Sequence, residues 1–236
     1  MSSSLSNARN SPAHLLSHMF VEKLLNIFVS PGEVFDEVVA SPQTPACWLV
    51  PVLLVCLTGI ISLLVLPAGE LGAGEVRQLV DSDASASLEI GKPSHHGSEL
   101  AILTVATSAF AGTFWSTSVL WLIGRLFLKT RFPFFKALEV VALTGMILGL
   151  GTLMTALLGV ATGDASARPA LSLFAMQSSA GTQMYGALDA VNFFHLWTAT
   201  VLAVGLSKLA QVSFNEAAYW VFGYWVALRV AMIWLA

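Results

Sequence analysis

Five long apolar stretches, at 46–67, 99–128, 137–162, 188–210 and 215–236, occupy most of the chain after residue 45. Each is long enough to cross a hydrocarbon layer about 30 Å thick, which takes about 20 residues at the helical rise of 1.5 Å. Inside lipid a segment must satisfy its own backbone hydrogen bonds, so stretches of this length with few charges fold as helices. The sequence therefore predicts an all-α integral membrane bundle of five transmembrane helices (46–236), preceded by a tail and interfacial helices (1–45). Only 11% of the residues are charged, against about 25% in soluble domains, as expected of a surface that faces lipid.

The few charges are unevenly placed. Arg125, Lys129, Arg131 and Lys136 crowd the second connection, which the positive-inside rule puts on the cytoplasmic side. Alternation then sets Arg9, Lys23 and Lys208 on the same side and leaves Arg77, Lys92 and Arg168 outside. The N-terminus is inside and the C-terminus outside. A net charge of -3 and the lack of a basic stripe exclude nucleic acid as a partner. Cys47 and Cys56, nine helical residues apart, are separated by about 13 Å, too far for a disulfide. The first residues lack the basic region, apolar core and cleavage site of a secretory signal. The connections at 68–98, acidic, and 163–187, small and polar, are external loops, and His95-His96 in the first is a weak pair of metal-ligand type.

Before the first span, Ser11-Pro12 opens a helix in which Leu15, Leu16, Met19, Phe20, Leu24, Ile27 and Phe28 recur at helical spacing. His14, His18, Glu22 and Asn26 form its polar stripe. Such a helix either lies on the membrane surface or packs against the bundle. A second short helix follows. Ser30 and Glu33 have the capping-box spacing, Val34, Phe35, Val38 and Val39 supply its apolar face, and Ser41-Pro42 ends it. In the spans, small residues at spacing four offer close packing: Thr104, Ser108, Gly112 and Ser116; Gly145 and Gly149; Ala199, Ala203 and Ser207; Gly223, Ala227 and Ala231. These faces serve contacts within the chain or, in a homo-oligomer, between copies.

The order of features resembles the Yip family of Ypt/Rab-interacting membrane proteins, in its bacterial branch. Pro31 and Phe35 match a Pro-x-x-x-Phe element, and Pro42, Pro45, Trp48 and Pro51 a proline-rich lead into the first span. Phe134-Phe135-Lys136-Ala137-Leu138 opens the third span, while Phe193, Phe194, Trp197, Gly205 and Leu206 mark the fourth. Ala217 and Ala218 stand near the start of the fifth. The resemblance covers about residues 25–236 and implies five spans, a cytosolic N-terminus and a bacterial cytoplasmic membrane. The Asp-Leu-Tyr-Gly-Pro element of the eukaryotic members is missing, which argues against a Rab-type GTPase partner.

Ionisable groups within spans are costly and so are candidates for function. Asp189, Asn192 and His195 recur at spacing three near the external end of the fourth span, and Arg229 lies in the fifth, where it can snorkel outward or pair with Asp189. Glu139 sits one turn into the third span. Arg125, Lys129, Arg131 and Lys136 are candidates for contacts with anionic lipid head groups. No metalloprotease, nucleophile-elbow or phosphate-loop motif occurs. The sequence thus points to a non-enzymatic protein without cofactor or metal, which organises other membrane proteins or lipids by lateral contacts. A transporter or permease component for a small solute is the alternative.

Overall fold

The computed structural model describes residues 21–65, 95–163, 169 and 192–235, with backbone alone for 95–98 and 232–235. Among these, every regular element is a helix: α1 (Pro31–Ala40), α2 (Pro45–Val65), α3 (His95–Leu126), α4 (Phe134–Thr162), α5 (Phe193–Ala210) and α6 (Phe214–Leu235), with a helical stretch at 21–26 before them. Four helices are long and apolar enough to cross a membrane: α2, residues Glu99–Leu126 of α3, α4 and α5. Over its described residues the chain is thus all-helical, with four helices suited to a membrane. The expected fifth span does fold as one helix, α6, whose 22 residues would reach about 33 Å. Over its described residues it stands apart from the other four, because it opens on Asn215 and Glu216, carries Tyr219 and Tyr224, and holds Arg229. The expected helix start at Ser11-Pro12 and most of both expected external loops lie outside the described residues. His95 and His96 fall within the first turn of α3 rather than in a loop.

Local chemistry sets the helix ends. Pro133, extended at ψ 139°, opens α4, and Gly163 closes it in the left-handed region at φ 68°. The Asn192 side chain accepts the Phe194 amide to cap α5, and Gln211, also left-handed, ends it. Ser213 caps α6 by accepting the Glu216 amide at 3.3 Å. At α1 the expected capping box does not form: Ser30 is the N-cap residue but its hydroxyl makes no capping bond. Pro31 in the first turn removes one of the amides that the helix start would leave without a partner.

The central helix is α4, flanked by α2, α5 and α3, while α6 packs on α5. Glycines let these helices approach. A Cβ at Gly59 would stand 2.7 Å from Val105, one at Gly151 2.8 Å from Phe194, and one at Gly205 would collide with Val140 and meet Phe35 at 3.2 Å. The expected small faces of α4 and α5 are used inside the chain, with Ala199, Ala203 and Ser207 all buried. The corresponding face of α6 is not used there: a Cβ at Gly223 would meet nothing, and Ala227 and Ala231 are exposed. The hydroxyls of α3 turn inward on their own helix. Thr104, Thr113, Thr117 and Ser118 each donate to the carbonyl four residues back, and Ser108 to the one three back. That arrangement satisfies them in lipid without an interhelical partner.

Residues 21–40 form a helical hairpin against this bundle. Phe28 meets the Trp197 ring edge-on, Phe35 lies at Gly205, and Asp36 pairs with Lys208. The segment therefore tracks α5 over Trp197 to Lys208, 11 residues or about 16 Å of helix. Ile27 and Phe35 are fully buried in the same core as α4 and α5. Of the two placements open for this region, the described part takes the packed one. Its outer side still shows Val21, Leu25 and Val29.

Because Gly205 seats both Val140 and Phe35, Gly205→Leu should lower stability by about 1–3 kcal/mol through overpacking. Gly145→Ala, whose new Cβ meets only Val55 at 3.9 Å, should leave it within about 0.5 kcal/mol. Unfolding by sodium dodecyl sulfate in mixed micelles, followed by circular dichroism, distinguishes the two, and equal responses would contradict the packing described.

Candidate functional site

A lysine in the first turn of a helix is poorly placed, since the dipole there favours anions. A buried lysine is costlier still, because its ammonium loses water. Lys136 is both: it sits in the first turn of α4 and is only 7% exposed. Three acceptors compensate. Its Nζ donates to the Val38 carbonyl at 2.6 Å, to the Ser41 carbonyl at 2.7 Å and to Glu139 Oε2 at 3.1 Å. An ammonium has three donors, and all three are engaged.

Two of the acceptors are carbonyls at the C-terminal end of α1, where helix carbonyls lack partners within the helix and a cation is favoured. The Ser41 hydroxyl also donates to Val38 O. The third acceptor, Glu139, lies three residues on, on the same face of α4, and is 1% exposed. Lys136 thus caps a helix far from it in sequence, and Glu139 balances its charge. Weaker pairs hold the flanks of α1: Lys208 to Asp36 at 2.6 Å and Lys23 to Glu37 at 2.9 Å. These pairs are part-exposed, so each contributes only about 0–1 kcal/mol. Chemically the site is a clasp. Its amine has no free donor, and α1 must leave before a substrate could reach it.

The expected basic cluster divides here. Lys136, a candidate for head-group contact, instead points into the protein and is used up by the clasp. Arg125, Lys129 and Arg131 are exposed. The Arg125 guanidinium lies over the Trp121 ring, 4.8 Å from its centroid, and Trp121 takes the edge of Phe134. Lys129 adopts the left-handed conformation at φ 54°. The chain there doubles back, so that the Thr130 amide and hydroxyl both donate to Gly124 O, at 3.0 and 3.2 Å. The return brings the Phe132 ring onto Gly124, a place a side chain would fill. A cavity of about 330 Å³ results, lined by Trp121, Arg125, Thr130, Arg131, Phe132 and Pro133.

The expected polar constellation is placed in part. Asp189 lies outside the described residues, and with it the Asp189–Arg229 pair. Asn192 spends its side-chain oxygen on the Phe194 amide at 2.9 Å. His195 is half-buried in the first turn of α5. Arg229 lies 5.8 Å from the centroid of the Trp225 ring. Among the described residues no three His, Cys, Asp or Glu side chains gather as metal ligands would. The clasp escaped the sequence reading, although the Lys136-to-Glu139 spacing of three was a signal for a local pair. Its decisive acceptors, the carbonyls of Val38 and Ser41, have no mark in sequence. No family model, curated protein or solved structure matches the chain.

Lys136→Met should cost about 3–5 kcal/mol, because it strands a buried carboxylate. Adding Glu139→Leu should restore most of the bundle's stability and still leave α1 without its cap. Denaturant titration gives the first effect and limited proteolysis at Ser41–Thr44 the second. Full protection of that link in the double variant would contradict the clasp.

Proposed function

We propose that the chain is a Yip-type multi-pass membrane protein that organises other membrane proteins or lipids by lateral contact and carries out no chemistry of its own. Its setting is a bacterial cytoplasmic membrane, with the Lys136 end in the cytosol and α6 as the fifth span. The observation that carries this reading is the fate of the buried charge. Transporters place ionisable groups on a path through the bundle, near broken helices. Here Lys136 and Glu139 spend theirs on fixing α1. The outward surface of α3 is apolar and aromatic, with Leu103, Phe114, Trp115 and Leu122 exposed, a surface suited to lipid and to neighbouring helices. The basic residues at the α1 end agree with a cytosolic placement.

Photo-crosslinking from α3 and α6 in intact cells, followed by affinity purification and mass spectrometry, tests this function. The expected outcome is a recurrent protein neighbour whose yield falls when α1 is unclasped by Lys136→Met/Glu139→Leu. A partner-free monomer, together with solute uptake or efflux that is lost on deletion and not restored by His195→Ala, would replace it with transport.

A further inference from the structure

We propose that the cavity between the end of α3 and the following loop is a phosphate-binding site, with Arg125 and Arg131 as the anion's two ligands. The basic residues at this end fall into two groups. Lys23, Lys136 and Lys208 are each matched by a carboxylate of the chain. Among the described residues no carboxylate pairs with Arg125 or Arg131, and none of the six residues lining the cavity is acidic. Two arginines without a carboxylate partner among the described residues therefore line one cavity of about 330 Å³, at the lower end of the range for small-ligand sites, about 300–1,000 Å³.

The site is built rather than a loose patch. The Arg125 guanidinium is held over Trp121, 4.8 Å from the ring centroid, a contact that spends none of its five N–H donors on an oxygen. Arg131 is carried by a return fixed through the left-handed Lys129, the two Thr130 bonds to Gly124 and the seat of Phe132 on that glycine. A planar fork binds phosphate through paired N–H···O bonds, which a lysine does not reproduce. The surroundings indicate how the phosphate arrives. Leu122 and Leu126 are exposed on the same end of α3, so acyl chains can follow the helix while the head group enters the cavity. Phosphate chemistry is common to a phospholipid and to a soluble phosphate, and the test separates them.

Purified full-length protein in detergent is examined by native mass spectrometry with phosphatidic acid, phosphatidylglycerol and phosphatidylcholine, and by calorimetric titration with inorganic phosphate. Arg125→Gln/Arg131→Gln should weaken binding of an anionic phospholipid about tenfold or more, as expected for loss of charge-assisted hydrogen bonds. Arg125→Lys/Arg131→Lys should recover only part of it, and Lys129→Gln should change it less than about twofold, since Lys129 does not line the cavity. Inorganic phosphate binding with the same mutational pattern, and no lipid preference, supports the site with a soluble ligand. An equal loss in Lys129→Gln, or no loss in the double variant, overturns the proposal. Should the glutamine variant not fold, phenylglyoxal labelling of the wild type decides: phosphatidic acid or phosphate must protect Arg125 and Arg131, and unprotected labelling overturns the site.

Discussion

The burial of the Lys136 ammonium is the constraint on which the arrangement of this end of the molecule depends. Removing an ammonium from water costs several kcal/mol unless every donor finds an oxygen in good geometry. The three acceptors come from two parts of the chain that are distant in sequence, Glu139 beside it and the end of α1. Such a site fixes register, because sliding α1 by one residue would replace Val38 and Ser41 by other carbonyls at other angles. Phe35 enforces the same register independently. Its ring fits at Gly205 beside Val140, in space that a side chain at 205 would take. The polar clasp and the apolar seat lie about one turn apart on α1, and each positions the other.

The rest of the bundle coheres by shape. Lipid supplies no hydrophobic drive between helices, so close backbone approach does that work. The glycines that matter are those whose missing Cβ makes room for a particular neighbour: Gly59 for Val105, Gly151 for Phe194 and Gly205 for Val140. The Thr and Ser hydroxyls of α3 add little across helices, because they donate to their own backbone. The consequence is a gradient: among the four helices long and apolar enough to cross a membrane, α4 is the most enclosed and α3 the least.

Much of this was legible in the sequence, and the reasons differ by element. The spans α2, α3, α4 and α5 announce themselves by long apolar runs, and their ends fall within about five residues of expectation, wider than the one or two residues by which helix ends ordinarily scatter. α6 reads as a span by length, but its tyrosines and its polar opening weaken the signal. The short helix α1 was marked by Ser41-Pro42, whereas the capping role of Ser30 was not realised. Small residues were visible as stripes, but sequence spacing could not tell a stripe that receives a neighbour, as at Ala203, from one left open, as at Gly223. The basic cluster was visible as charge. Its division was not, since what buries Lys136 is a contact with Val38, 98 residues away, that the sequence does not mark.

That division follows from the chemistry of the two cations. A lysine ammonium is compact and donates in three directions, so it fits among two helix-end carbonyls and one carboxylate, where a planar guanidinium would leave donors misdirected. An arginine can sit over an aromatic ring and keep donors for oxygen acceptors, and Arg125 lies over Trp121 in this way, 4.8 Å from the ring centroid. The protein places a lysine where a helix must be held and arginines where a cavity opens outward. Exchanging them would spoil both arrangements without changing the net charge. The positive-inside count treats these residues as equivalent, and it is their difference in shape that separates the interior clasp from the outward-facing pocket a few residues away.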